Sequence, residues 1–241
     1  MPSLSAMILA GGHSRRMGTD KALLSRPDGQ LLLTRTAQIA QTLTSEVVVI
    51  TPWPERYKAI LPPPTKLLKE QPHQRGPLGG FLQGWADIRS DWCLLLACDL
   101  PQLESEPLRR WWEWLQAQPG AAAPSVSEAS VNKPDASGSE KKVRAIASLT
   151  QCLNQRKLTQ HKSAQGKASA TRWEPLCGFY HRNCLPDLHC YLNSASKEMR
   201  PHHFSFQSWL DPLPILVYDH LPPAILFNCN TAEDWSQIIA K

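Results

Sequence analysis

The chain lacks the features that are typical of membrane proteins, secreted proteins and proteins with a structural zinc site. None of its 241 residues belongs to a run of eighteen apolar residues, so no membrane-spanning helix is expected. The stretch from Met1 to Ser5 has neither the basic region nor the long apolar region of a signal peptide. The seven cysteines include no Cys-x-x-Cys pair, which argues against a disulfide framework or a structural zinc site. A cytoplasmic location fits this pattern best.

Two common nucleotide-binding loops are also missing. After the glycine pair Gly11-Gly12, Met17 stands where a P-loop would have glycine, and Thr19 follows Gly18 where it would have lysine. The segment contains no Gly-x-Gly-x-x-Gly either, so it does not match the dinucleotide-binding fingerprint.

The basic charge of the chain is concentrated in one segment. The formal net charge is +5, yet residues 125–172 alone carry nine Lys and Arg against three Asp and Glu. The rest of the chain is therefore close to neutral. The basic segment contains no Phe, Tyr or Trp on which bases could stack, so nucleic-acid binding is not expected.

The stretch from Leu9 to Lys21 is the most informative part of the sequence. It follows an apolar run, Leu4–Leu9, that predicts a buried strand. The adjacent glycines leave the backbone amides open to close approach, and Arg15, Arg16 and Lys21 supply positive charge within ten residues. Open amides with fixed cations are what a polyphosphate group needs. The stretch therefore predicts a polyphosphate site.

Residues 9–21 fill every fixed position of the pattern Leu-Ala-Gly-Gly-x-Ser-x-Arg-Met-Gly-x-Asp-Lys. This pattern resembles the signature loop of the molybdenum cofactor guanylyltransferases, which are nucleotidyltransferases of the sugar-nucleotide type. The resemblance implies that the nucleotide is contacted by Leu9, Ala10, Gly11 and Gly12, and that Lys21 and Arg16 act on its phosphates. For Asp20 two roles stay open, holding Lys21 or capping a turn.

Strand and helix signals alternate through the first half of the chain. The expected strands are Leu4–Leu9, Val47–Ile50, Lys66–Lys69 and Trp92–Ala97, and the expected helices are Leu31–Leu43, Pro54–Ile60, Gly76–Ile88 and Leu103–Gln118. Alternation with continuously apolar strands predicts an α/β fold with a parallel sheet covered on both faces. Together with the resemblance, this predicts one domain over 1–241, Rossmann-like and three-layered (α/β/α), with a mainly parallel sheet of the nucleotide-diphospho-sugar transferase type.

Asp99 comes just after the fourth expected strand. Ligands of parallel sheets collect at the carboxyl ends of the strands, so Asp99 and the glycine pair should share one rim. A carboxylate there suits Mg²⁺, which keeps several waters and takes its other ligands from phosphate oxygens. The resemblance implies that Asp99 binds Mg²⁺, contacts the nucleotide and takes part in catalysis. Its alternative role is to cap the turn before Pro101.

Three further motifs match the same family. Gly76, Pro77 and Leu78 begin a second glycine-rich motif, and Glu70 stands near an acidic nucleotide-contacting position that is usually aspartate. Asn228 and Asn230 belong to an Asn-x-Asn-Thr motif whose amides suit a pterin edge or a phosphate. The alternative roles are close helix–strand packing for the glycines, and turn formation and helix capping for the asparagines.

Residues 127–172 break the alternating pattern and are expected to be an insertion. Within it, Val143–Leu158 has the apolar spacing of an amphipathic helix, and Ser127–Lys142 and Gln160–Arg172 read as flexible linkers. Two interpretations of this insertion stay open, a solvated loop and an arm that binds a partner. Strands are expected after it at Glu174–Tyr180, Ile215–Tyr218 and Ile225–Phe227. A final helix, capped by Thr231 with Asp234, should end near Ala240.

The resemblance implies a Mg²⁺-dependent transfer of GMP from GTP to the terminal phosphate of Mo-molybdopterin, with release of pyrophosphate. Transient contacts with molybdoenzymes or other cofactor-biosynthesis proteins would follow from that role. The alternatives are a molybdopterin cytidylyltransferase, a sugar-1-phosphate nucleotidyltransferase, and a non-catalytic interaction protein that docks through the basic segment.

Overall fold

The structure is a computed structural model that describes residues 1–12, 18–72, 76–119, 121, 128–134, 140–146, 151–156, 172–195, 204–213 and 215–239. Its strands are β1 (Leu4–Leu9), β2 (Val47–Thr51), β3 (Lys66–Lys69), β4 (Trp92–Ala97), β5 (Glu128–Pro134), β6 (Glu140–Ile146), β7 (Gln151–Arg156), β8 (Arg172–His181) and β9 (Leu216–Val217). Seven of them form one sheet in the order β3-β2-β1-β4-β8-β7-β9, and β5 and β6 form a separate hairpin.

The sheet is mainly parallel, as the sequence predicts. β1 pairs in parallel with both β2 and β4, and β2 pairs in parallel with β3. β8 runs antiparallel to β4 and to β7. In register, Leu9 lies beside Ile50 on one side and Ala97 on the other. The carboxyl ends of β1, β2 and β4, and the loops that follow them, therefore lie at the same edge of the sheet.

Helices cover both faces of the sheet, which confirms the three-layer architecture. They are α1 (Leu32–Gln41), α2 (Pro54–Tyr57), α3 (Gly76–Trp85), α4 (Ser105–Gln116), α5 (Leu185–Ala195), α6 (Phe206–Leu210) and α7 (Ala232–Ile239). Because side chains alternate along a strand, Ile8 joins one core cluster, with α1 and α4, while Met7 joins the other, with α3, α5 and α6. Among the described residues, no helix is both long and apolar enough to cross a membrane.

Gly84 lets α3 lie directly on the sheet, and its replacement is expected to destabilise the fold. A Cβ at this position would be 2.5 Å from both the Ile50 Cδ1 and the Met7 Cε atoms. Gly84→Val should lower the free energy of unfolding by about 1–3 kcal/mol, because the added carbons overpack a filled core. Denaturant unfolding measures this loss. Gln38→Val, on the exposed side of α1, is the β-branched control. Equal stability of the two variants would contradict this packing.

The expectation of linkers and a helix within 127–172 is wrong where the structure describes this segment. Residues 128–134 and 140–146 pair as an antiparallel hairpin, and Val143 lies opposite Val131. Residues 151–156 form β7, which pairs with β8. Without β7, the edge of β8 that faces away from β4 would have unpaired backbone N–H and C=O groups. Hydrogen bonding to this edge therefore outweighs the helix-like spacing of the apolar residues in the segment. Residues 127, 135–139, 147–150 and 157–171 lie outside the described part of the chain.

Two expectations near the carboxyl terminus have opposite outcomes. The strand expected at Ile225–Phe227 is wrong, because Pro223–Leu226 forms a 3₁₀ helix in which the Ile225 amide donates to the Pro222 carbonyl at 3.0 Å. The capping of α7 is confirmed. The Asp234 amide donates to Thr231 Oγ1 at 3.1 Å, and Asp234 Oδ2 accepts from the Thr231 amide at 2.9 Å.

Candidate active site

A cavity of about 330 Å³ opens at the carboxyl ends of β1 and β4. It brings together residues that are far apart in sequence but that the fold delivers to one rim. Its lining consists of Leu9, Ala10, Gly11, Gly12, Asp20, Lys21, Ala22, Glu70, Gly76, Pro77, Ala97, Cys98, Asp99 and Leu176. Nine of these are residues that the sequence analysis singles out for nucleotide binding or catalysis.

The glycine turn packs closely against the side chain of Glu70. The Ala10 amide donates to the Ile50 carbonyl at 2.9 Å, which extends the β1–β2 pairing into the turn. A Cβ on Gly11 would lie 2.5 Å from Glu70 Oε2, and one on Gly80 would lie 3.3 Å from Glu70 Oε1. The Glu70 carboxylate therefore lies between the turn and α3. A residue other than glycine at position 11 would have to displace it.

Lys21 lies between two groups, Asp99 and Asn230, that are far apart in sequence. Its Nζ is 3.4 Å from Asp99 Oδ2 and donates to Asn230 Oδ1 at 2.7 Å. The side chains of Lys21 and Asp99 are only 15% and 23% exposed, so the charges interact across a partly desolvated space. The structure thus brings the predicted lysine, aspartate and asparagine into one cluster.

Residues 228–230 connect this cluster to Glu174 on β8, the strand next to β4. The Cys229 amide donates to the main-chain carbonyl of Asp99 at 2.9 Å. The Asn228 amide group donates to Glu174 Oε2 at 3.0 Å, and Glu174 is 7% exposed. Glu174 is not among the residues that the sequence predicts for the site. A carboxylate at the start of an otherwise apolar strand, directly before Pro175, is the signal that could have found it, since buried charges need partners.

Other predicted site residues lie apart from the cavity lining. The side chain of Leu78 is fully buried in the core between α3 and the sheet. Asn228 and Asn230 approach the site through Glu174 and Lys21. Arg16 lies outside the described residues. Asp20 does line the cavity, and of its two open roles the structure shows the capping contact, because its Oδ1 accepts from the Ala22 amide at 3.1 Å.

The donor set fits a metal ion shared with a substrate rather than one held by protein alone. Among the described residues, no group of three or more His, Cys, Asp and Glu side chains is arranged to hold a metal. The neighbouring Cys98 also lines the cavity, but its soft sulfur does not suit Mg²⁺, which prefers oxygen ligands. Asp99 lines the cavity, and a single carboxylate with phosphate oxygens and waters is an ordinary ligand set for Mg²⁺.

Several known proteins are similar to this chain over most of its length. Residues 6–203 match the family model described as "MobA-like NTP transferase domain". A Nostoc protein named "Probable molybdenum cofactor guanylyltransferase" is 40% identical over 238 residues, which are 99% of this chain and 91% of that protein. A protein of the same name from Synechococcus elongatus is 34% identical over 239 residues, 98% of each chain.

Solved structures with the same architecture are more distant in sequence. Molybdopterin-guanine dinucleotide biosynthesis protein A from Archaeoglobus fulgidus has a TM-score of 0.62 at 14% identity, over 98% of this chain and 97% of that one. 4-Diphosphocytidyl-2C-methyl-D-erythritol synthase from Anaerococcus prevotii also reaches 0.62, at 12% identity, over 98% and 94%. These two likenesses show the fold alone. On the family model and the relatives at 34–40% identity, the chain belongs to the MobA-like NTP transferase family.

Proposed function

We propose that this chain transfers GMP from GTP to the terminal phosphate of Mo-molybdopterin, releasing pyrophosphate. The observation that carries the proposal is the cavity in which the Gly11-Gly12 turn, Lys21 and Asp99 meet at one rim. The names of the relatives at 34–40% identity support guanylyl transfer over cytidylyl or sugar-1-phosphate transfer. Since β7 is part of the main sheet, a docking arm independent of the fold has less support.

Catalysis in this proposal depends on positioning and charge. The attacking group is a phosphate already ionised near neutral pH, so no side chain has to remove a proton. The open backbone at Gly11 and Gly12 lets the nucleotide lie against the turn, and the Lys21 ammonium stabilises negative charge on the departing pyrophosphate. Arg16 is proposed to act on the same phosphate chain.

Mg²⁺ is the proposed cofactor, held by Asp99 together with phosphate oxygens. When bound, the ion supplies charge stabilisation for the phosphates and orients them. Lys21 and Asn230 complement it, because the Asn230 amide oxygen holds the ammonium beside the Asp99 carboxylate. We expect the reaction to take place in the cytoplasm, with transient contacts to molybdoenzymes or other cofactor-biosynthesis proteins.

The direct test is pyrophosphate release by the purified protein with Mg²⁺ and Mo-molybdopterin, with GTP, CTP or ATP as the nucleotide. We expect release with GTP and little with CTP or ATP. Release with CTP in place of GTP would keep the reaction class and change the product. No release with any of the three from folded protein would favour the non-catalytic alternative.

Glu70 is proposed to select the base. Guanine presents two adjacent N–H donors, N1–H and N2–H₂, and a carboxylate is an acceptor-only group that complements both. Glu70→Gln puts an N–H donor in place of one oxygen. We expect it to narrow the preference in kcat/KM for GTP over ITP, which lacks the 2-amino group, by on the order of tenfold.

The matched control is Glu55→Gln, an exposed glutamate on α2 outside the cavity. This variant should have the same ratio of kcat/KM for GTP to kcat/KM for ITP as the wild type. An unchanged ratio in Glu70→Gln would assign the base contact to other residues.

A further inference from the structure

The carboxylate of Asp20 is held by donors from two parts of the chain. Its Oδ1 accepts from the Ala22 amide at 3.1 Å, which caps the 3₁₀ helix Lys21–Leu23. Its Oδ2 accepts from the Tyr57 hydroxyl at 2.7 Å and from Arg56 Nη1 at 2.9 Å. One oxygen therefore fixes the local turn, and the other joins that turn to α2.

α2 is well placed to serve as an anchor. It begins at Pro54, directly beyond β2, so it lies at the same rim as the cavity. Tyr57 is 1% exposed and belongs to a core cluster, and Arg56 lies over the Trp53 ring at 4.8 Å from its centroid. Burial, more than the neighbouring Asp20 charge, raises the pKa of Tyr57, so the hydroxyl keeps its proton at neutral pH and can donate it.

Lys21 is the next residue after Asp20 and the first of the capped turn. The orientation of this 3₁₀ turn therefore determines the position of the Lys21 Cα atom and the direction in which its side chain leaves the backbone. Its Nζ ends 3.4 Å from Asp99 Oδ2 and 2.7 Å from Asn230 Oδ1. A small rotation of the turn would move the ammonium away from both groups. The contacts of Asp20 with α2 resist such a rotation.

We propose that Asp20, Tyr57 and Arg56 form a clamp that positions Lys21 for the departing pyrophosphate. Asp20 and Tyr57 are positioning residues in this scheme, because they act through Lys21. The reaction itself rests on the proposed function, whereas the effect of the clamp on Lys21 exists without any substrate. The clamp should matter most for kcat, because the lysine contact that it supports strengthens as the leaving group forms.

The first test removes the clamp without removing the cap. Tyr57→Phe deletes only the hydroxyl. Asp20→Asn keeps an amide oxygen for the Ala22 amide but puts an NH₂ group in the place of Oδ2. Each variant should lower kcat by roughly 10- to 100-fold, the effect of a misplaced catalytic group, with a smaller rise in KM for GTP. The double variant should be little slower than Asp20→Asn alone, because Asp20→Asn already disrupts the contact that Tyr57→Phe removes.

Thr34→Val is the structural control. The Thr34 hydroxyl donates to the Ile60 carbonyl at 2.8 Å, so this variant also removes one hydroxyl contact, between α1 and the chain after α2, without touching Asp20. It should lower the melting temperature about as Tyr57→Phe does while keeping kcat. An equal fall of kcat in Thr34→Val, or additive effects of the two clamp variants, would overturn the clamp in favour of a general role in stability.

A second readout does not depend on activity. Trace acetylation of the apo protein, followed by peptide mass spectrometry, compares the labelling of Lys21 with that of exposed Lys69. Tyr57→Phe should raise the Lys21-to-Lys69 ratio severalfold, because a released ammonium visits solvent more often, whereas Thr34→Val should not. An unchanged ratio refutes the clamp. If the wild type releases no pyrophosphate, the proposed function fails, and the labelling ratio still decides the clamp.

Discussion

Asp99→Asn is expected to lower the rate of pyrophosphate release by a factor on the order of 10²–10³, the loss typical of removing one electrostatic group at a reacting centre. Asparagine keeps the shape of the side chain but carries no charge for Mg²⁺. The fold should persist, because Asp99 accepts the Cys229 amide through its main-chain carbonyl. The rate should be measured at saturating GTP over a range of Mg²⁺ concentrations, and the concentration for half-maximal rate should rise.

Asp219→Asn is the control for this change. Asp219 has a side chain that is 76% exposed and does not line the cavity, so its replacement should leave the rate unaltered. Near-full activity of Asp99→Asn, with an unchanged Mg²⁺ dependence, would show that the metal is held elsewhere.

Lys21→Met is expected to reduce kcat by a similar factor, on the order of 10²–10³. Methionine has a comparable length but no charge, so the departing pyrophosphate loses the cation that the Asn230 side chain holds in place. Lys21→Arg should restore little of the rate, because a planar guanidinium cannot occupy the compact space between Asn230 and Asp99 in the same way. Single-turnover measurement of pyrophosphate release separates this loss from slow product release.

Lys58→Met, at an exposed position after α2, is the matched control and should retain the wild-type rate. A Lys21→Met enzyme with unchanged kcat and a raised KM would mean that the lysine contributes to ground-state binding alone. That result would remove it from the catalytic scheme and leave the cavity as a nucleotide site.

The sheet in the first half of the chain could be predicted because its strands are apolar and contiguous. β1, β3 and β4 have the bounds that the sequence indicates, and β2 is one residue longer. The strands within 128–156 could not be predicted, because this segment is rich in polar residues and contains no continuous apolar run. In addition, β7 pairs with β8, which follows a second polar stretch in the sequence. The spacing of the apolar residues in 143–158 favoured a helix, but hydrogen bonding between strands determined the structure of the segment.

The same distinction holds for the site. The rim at which Gly11 and Asp99 meet follows from parallel strands in register, so the sequence could predict it. The contact between Lys21 and Asn230 joins residues 209 positions apart, and no local pattern encodes such a pairing. The role of Glu174 and the contacts of Asp20 with α2 also depend on tertiary packing, so neither could be predicted from the sequence.

The position of residues 228–230 has a consequence for folding order. Strands β3, β2, β1 and β4, the glycine turn, Lys21 and Asp99 all lie within the first 99 residues. A chain that has folded only this far already carries the glycine turn and Asp99, but Lys21 still has no Asn230 to hold it. The hydrogen bonds from Lys21 to Asn230 and from the Cys229 amide to the Asp99 carbonyl can therefore form only once residues 228–230 have docked, so the last part of the chain completes the site.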